Sequence, residues 1–224
     1  MPAEQLTDST IVRAAKKPVM PDIVAAIGNT PLMELDLAVE VTPGTRLFGK
    51  LESANPGGSL KDRSVAFMIR QAIEEGQLAG GRRLLDSSSG NAGIAYAMIG
   101  AALGIPVSIV VPGNASQERL QRIAAYGAET IITDPLEGYD FAVLEARRLA
   151  ESHPDLYWYC DQYSNAANWR AHYQGTGTEI LQQIMVRTGA APDAFVAGVG
   201  TGGSITGIGR RLREVRPDID RKST

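Results

Sequence analysis

From about Leu47 onward, short apolar runs alternate with longer stretches whose apolar positions recur every three to four residues. The runs Arg46–Leu51, Arg83–Asp86, Val107–Val111, Thr130–Thr133, Leu156–Cys160 and Ala194–Val199 predict strands. Between them the spacing predicts helices over Asp62–Glu75, Asn91–Leu103, Ser116–Tyr126, Tyr139–Ser152, about Ala171–Arg187 and about Ile205–Val215. Ser116 reads as a helix cap, and Gly76, Gly104 and Gly127 read as helix stops. Strictly alternating strands and helices imply parallel sheets covered by helices, an open α/β architecture. Ligands in such sheets sit beyond the carboxyl ends of strands. Three polar or glycine-rich loops fall at positions of that kind: Asn55–Lys61, Ser87–Asn91 and Gly200–Ser204.

The 224 residues allow one large domain or two small ones. With 44% hydrophobic and 21% charged residues the chain can build an ordinary core. A formal net charge of -3 and no Lys/Arg cluster leave no basic field for nucleic acid or a membrane surface. The stretch from Ser87 to Gln117 is uncharged, but Gly100, Gly104 and Pro106 interrupt it. It reads as a buried helix followed by a buried strand, not as a membrane span. The first twenty residues lack the apolar centre of a signal peptide and read as a flexible lead-in. The single cysteine, Cys160, excludes an intrachain disulfide and fits a reducing, cytoplasmic compartment. It reads as a small buried hydrophobe, and no metal site is expected.

Each loop offers a different chemistry. Gly200, Thr201, Gly202, Gly203 and Ser204 follow an apolar strand and open a helix, where bare backbone N–H groups and two hydroxyls suit a phosphate. The same stretch matches a dinucleotide pattern through Gly198, Gly200 and Gly203, with Asp218 and Asp220 about 20 residues on. In the first loop, Pro56 and two glycines make a constrained turn and Lys61 falls in the first helical turn, where the macrodipole favours an acid. Partial burial there would lower a lysine pKa as imine chemistry requires; the plainer reading is a solvated surface lysine. The Ser87–Asn91 loop gathers hydroxyls, an amide and helix-start N–H groups that suit a carboxylate, or simply cap the helix. An amine nucleophile, a phosphate cradle and a carboxylate cradle are together what pyridoxal phosphate (PLP) needs to act on an amino acid.

Five ordered segments then match a known family. Ile27-Gly-Asn-Thr-Pro-Leu32 resembles the opening motif of cysteine synthases and cystathionine β-synthases. Lys50–Arg63 resembles their PLP-lysine segment, and Ser88-Ser-Gly-Asn-Ala-Gly93 is similar to their substrate loop. Asp161–Asn168 and Gly200–Ser204 resemble further blocks, and the likeness runs from about Pro21 to Ile219. It implies a fold-type II PLP enzyme, tryptophan synthase β-like, with two open α/β domains. The smaller would span 55–163, and the larger 1–54 plus 164–224, incomplete at its C-terminal side. Lys61 is implied as the lysine that carries PLP and moves the Cα proton, and Asn91 as the partner of the cofactor's phenolic oxygen. Gly200, Thr201, Gly202, Gly203 and Ser204 are implied to bind the phosphate. Ser88, Ser89, Gly90, Asn91 and Gln162 are implied to surround the substrate carboxylate. The implied reaction is β-replacement, making L-cysteine from an activated serine such as O-acetylserine and sulfide or another thiol, in a cytoplasmic homodimer.

The chain departs from the family in places. Ser88 and Ala92 stand where threonine is usual, and Tyr163 where phenylalanine is common. Family chains continue beyond this point, into a part that carries a hydroxyl facing the pyridine nitrogen. The segment 218–224 is expected to stop short of another strand, and the short form is expected to be poorly active. Other readings stay open: a cystathionine β-synthase, an O-phosphoserine-dependent relative, a non-catalytic PLP-binding remnant, and a NAD-binding domain.

Overall fold

The structure, a computed structural model, describes residues 21–36 and 44–223; the expected lead-in lies outside them. In chain order the elements are α1 (Asp22–Ala25), β1 (Leu32–Glu34), β2 (Phe48–Lys50), α2 (Lys61–Glu74), β3 (Arg83–Ser87) and α3 (Asn91–Leu103). Then come β4 (Val107–Pro112), α4 (Gln117–Ala125), β5 (Glu129–Thr133), α5 (Gly138–Ser152) and β6 (Tyr157–Tyr159). The rest is α6 (Ala166–Ala171), a π-helical turn over His172–Thr176, α7 (Gly177–Thr188), β7 (Ala194–Ala197), α8 (Gly203–Arg213) and β8 (Asp220–Ser223).

The central sheet has the order β5-β4-β3-β6, with every pair parallel. Its strands alternate faces with a period of two. Leu84, Val107, Ile109 and Val111 face a core built with α2, α3 and α4, whereas Leu85 and Val110 face Ala142 and Ala146 of α5. Helix α3 carries no charge and is buried on nearly every side, with Ile94, Ala95, Tyr96, Met98 and Ile99 at most 1% exposed. A helix apolar all round belongs in a core. Gly100 lets it approach the sheet, because a Cβ there would collide with the Val107 side chain and sit 3.0 Å from the Ile105 carbonyl oxygen. Among the described residues, no helix is long and apolar enough to cross a membrane.

Two smaller sheets accompany this one. β1 pairs antiparallel with β2, and β7 pairs parallel with β8. A second apolar cluster, of Ile180, Leu181, Ile208, Leu212 and Ile219, joins α7, α8 and the approach to β8. Parallel sheets under helices agree with the expected class. Strand β8 is a correction to the expectation that segment 218–224 stops short of a strand. Asp220-Arg-Lys-Ser223 has no apolar alternation and is exposed throughout, so pattern alone does not mark it. The helix expected from Ala171 begins earlier, at Ala166, where the Asn165 side chain accepts the Ala167 N–H at 3.0 Å.

Candidate active site

The order β5-β4-β3-β6 reverses the chain's direction of travel at β3. It runs outward through β4 and β5, then returns by α5 to place β6 on the other side of β3. The crevice between the carboxyl ends of β3 and β6 is thus a topological switch point, where open α/β sheets bind ligands. The Ser87–Asn91 loop follows β3, and Gln162 follows β6. The structure brings them together: Gln162 Nε2 donates to the Ser87 carbonyl at 2.9 Å.

Within the Ser87–Asn91 loop, the Ser88 hydroxyl accepts the N–H groups of Gly90 at 3.2 Å and Gly93 at 2.9 Å. Its oxygen caps α3, which leaves its proton for another acceptor. Asn91 is the first residue of α3 and is exposed, and its amide has no hydrogen-bond partner among the described residues. No atom lies within 4 Å of where a Gly90 Cβ would stand, so the loop's outer side is open.

Lys61 is the first residue of α2, its N–H held by Ser59 Oγ at 3.1 Å. The preceding turn is fixed by Asp62, whose carboxylate accepts the Gly57 N–H at 2.5 Å. Burial pushes the Asp62 carboxyl up to about 6. Burial also lowers the Lys61 ammonium below its usual range, and among the described residues it makes no ion pair. Lys50 is the contrast: its ammonium meets Glu179 at 2.7 Å, the Thr30 carbonyl at 2.6 Å and Gln183 at 2.8 Å. His172, in the π turn, is fully buried and bonded to Thr176 Oγ1 at 3.0 Å. Burial first, and the Lys61 charge second, pull its pKa down to about 4, so the imidazole beside Lys61 is neutral near pH 7.

The glycine loop ends on Gly202, whose φ of 77° lies in the left-handed region, and α8 starts at Gly203. No atom lies within 4 Å of a Cβ position on Gly200 or Gly202, so the mouth of α8 is open to an anion. Thr201 and Ser204 are half-buried at its edge. Asp218 and Asp220 do not serve this loop. Asp220 pairs with Ala194 at the opposite end of the β7–β8 ladder from Gly200, so the dinucleotide reading lacks its ribose acid.

Side chains without an assigned role in the sequence tie the three loops into one site. Asn168 Nδ2 donates to the Gln162 carbonyl at 2.7 Å and to Thr201 Oγ1 at 2.9 Å. On α4, Arg119 reaches the Ser89 carbonyl at 3.4 Å and Arg122 the Gly57 carbonyl at 3.3 Å. Behind Lys61, Arg63 is gripped by Glu52 and Glu179 with four N–O distances of 2.6–2.8 Å. Gly28 and Asn29, from the opening motif, serve this framework: their N–H groups donate to Asn55 Oδ1 at 2.9 Å and to Glu179 at 3.0 Å. Cys160 is buried with its sulfur 3.7 Å from Met68 Sδ, and burial pushes its thiol well above the usual range.

The architecture has known counterparts. The chain is 47% identical over 199 residues to a cysteine synthase of Aquifex aeolicus (strain VF5), covering 88% of this chain and 60% of that one. An O-ureido-L-serine synthase structure superposes with a TM-score of 0.82 at 34% identity, covering 92% of this chain and 63% of the other. The cysteine synthase structure from Entamoeba histolytica gives 0.81 at 35% identity, covering 96% and 62%. The chain therefore spans less than two thirds of the length of each of these relatives. A family model described as pyridoxal-phosphate dependent enzyme matches residues 23–221, and the chain belongs to that family.

Proposed function

We propose that this chain forms the cofactor site of a PLP-dependent cysteine synthase, with Lys61 as the lysine that carries the cofactor. The observation that carries the reading is the difference between the two lysines: Lys50 is consumed by Glu179, whereas Lys61 is half-buried, unpaired among the described residues and easier to deprotonate than usual. The open mouth of α8 supports a phosphate held by Gly200, Thr201, Gly202, Gly203 and Ser204. On this reading Asn91 would meet the cofactor's phenolic oxygen, and Ser88, Ser89, Gly90, Asn91 and Gln162 would receive the substrate carboxylate.

When bound, PLP supplies an electron sink for the Cα of an amino acid. The chain's own groups do the rest. Lys61, whose ammonium burial makes easier to deprotonate, would take the Cα proton. The buried His172 imidazole, with its pKa of about 4, adds no competing charge near pH 7. The loop N–H groups and the Ser88 proton orient the carboxylate. With an activated serine such as O-acetylserine and sulfide, the product is L-cysteine; the 47% identity to a chain named cysteine synthase supports this reading. The same reading divides the chain into a smaller unit, 55–163, and a larger one, 1–54 with 164–224; the cluster of Ile180, Leu181, Ile208, Leu212 and Ile219 falls wholly within the larger. A cytoplasmic homodimer completes it; sedimentation of the purified protein tests the dimer.

Borohydride reduction followed by peptide mapping tests the lysine. The pyridoxyl group is expected on Lys61, and its appearance on Lys50 would overturn the assignment. A visible cofactor band that shifts on adding O-acetylserine is expected of the same sample.

A further inference from the structure

Asp86 is the fourth residue of β3, on the face it shares with Leu84, and has no exposed surface. Burying a carboxylate is expensive unless donors compensate it. Three donors do so. The Ser87 N–H reaches Oδ1 at 2.8 Å, and the Tyr96 hydroxyl and the Gln162 N–H reach Oδ2 at 2.6 and 3.2 Å. Tyr96 lies on α3, and it too has no exposed surface.

These contacts join three elements at one carboxylate: the end of β3, the body of α3 and the loop after β6. Those are the elements whose ends bear Ser88–Asn91 and Gln162. The Ser87 peptide is held from both sides, since its carbonyl accepts Gln162 Nε2 at 2.9 Å and the Tyr139 hydroxyl at 3.1 Å. A shift of α3 along its axis, or a parting of β3 from β6, would break the Tyr96 or the Gln162 bond to Asp86.

We propose that Asp86 and Tyr96 are positioning residues that fix the Ser88–Asn91 loop against the Gln162 segment and so set the geometry of the substrate-carboxylate pocket. The proposal rests on the cysteine synthase reading of that pocket. The pair touches no substrate; it acts through the Ser87 and Gln162 backbones. A fully buried network pays for itself only when every member is satisfied, so losing one bond loosens the rest.

The test uses Tyr96→Phe, which removes one donor and keeps the ring, and Asp86→Asn, which replaces one accepting oxygen by an amide donor. Two properties are read on the PLP-loaded protein: amide hydrogen exchange at Ser87 and Gln162, and the spectral titration of the cofactor band with L-serine, which carries a carboxylate but a poor leaving group. Both variants are expected to speed exchange at these two amides and to weaken L-serine about tenfold, while PLP retention stays within about twofold. Unchanged exchange and L-serine affinity in Tyr96→Phe overturn the proposal. So does loss of PLP in step with L-serine affinity, which marks a general structural role. Absence of any cofactor band in the unaltered protein overturns the proposed function instead, and the exchange measurement then decides the Asp86–Tyr96 link alone.

Discussion

Arg63 and Glu179 stand 116 residues apart in sequence and form a two-pronged ion pair with N–O distances of 2.6 and 2.8 Å. The pair fixes the start of α2, and so Lys61 two residues earlier, to the start of α7. Against the cost of burial, hydrogen bonds from Arg63 and Lys50 pull the Glu179 carboxyl down to about 2. Replacing Glu179 by Gln leaves both cations short of a partner, and breaking a buried pair costs about 3–5 kcal/mol. Urea denaturation of Glu179→Gln is expected to show a loss of that order, together with weaker PLP retention. Because the folded pKa lies below the ordinary 4.5, the stabilisation is present above pH 4.5 and is lost as pH falls toward 2. An unchanged urea midpoint in the variant would count against this framework.

How much of this was readable beforehand depends on distance along the chain. The turn Asn55–Lys61 and the loop Gly200–Ser204 announce themselves through local composition, because only glycines leave backbone N–H groups bare. The Gly104 helix stop was equally legible, and the structure places Gly104 in the left-handed region after α3. Asp86 was not, because an acid at a strand end looks like a residue turning toward water; only the fold supplies Tyr96 and the Gln162 N–H. Arg63 shows no role of its own within its motif, since its partners come from residues 30, 52 and 179. Strand β8 escaped because its pairing with β7 uses backbone alone and its side chains are polar.

His172 gives a pH signature of its own. Its folded pKa of about 4 lies below the ordinary 6.5, so between these values the unfolded chain binds more protons than the folded one. The stabilisation it contributes is therefore whole above pH 6.5 and is lost as pH falls through 4. Replacing His172 by Gln, which keeps a polar partner for Thr176, is expected to flatten this part of the stability curve. Thermal unfolding at half-unit pH steps between 4 and 7 measures it, and identical slopes in the two proteins would refute the assignment.

The seam between α6 and α8 depends on a missing side chain. A Cβ on Gly207 would collide with the Trp169 carbonyl oxygen and stand 2.8 Å from both the His172 Cβ and the Tyr173 nitrogen. Two of these neighbours are backbone, which cannot swing aside. Gly207→Ala must push α8 outward, and overpacking of this kind costs about 1–3 kcal/mol. Since α8 opens at the glycine loop, the expected result is a lower melting temperature together with weaker PLP binding. A melting temperature equal to that of the unaltered protein would show that α8 can shift freely.

Asn168 separates two ways of damaging the proposed phosphate cradle. Its amide nitrogen donates both to the Gln162 carbonyl and to Thr201 Oγ1, and its side chain fills the space that a Cβ on Gly203 would need. Asn168→Ala deletes two hydrogen bonds, each worth about 1 kcal/mol, and leaves the Gln162 carbonyl unsatisfied. Thr201 then loses its anchor, and PLP affinity is expected to fall about tenfold. Asn168→Asp keeps the shape but cannot donate to the Gln162 carbonyl, and it sets a negative charge against the cradle where the phosphate is to bind. Charge repulsion in a half-buried site adds to the lost donors, so the Asp variant is expected to bind PLP more weakly than the Ala variant. The gap should narrow as salt is raised, to the extent that water reaches the loop. Fluorescence titration with PLP at low and high salt measures both effects. If the Asp variant binds PLP as well as the Ala variant at low salt, the phosphate does not lie on this loop.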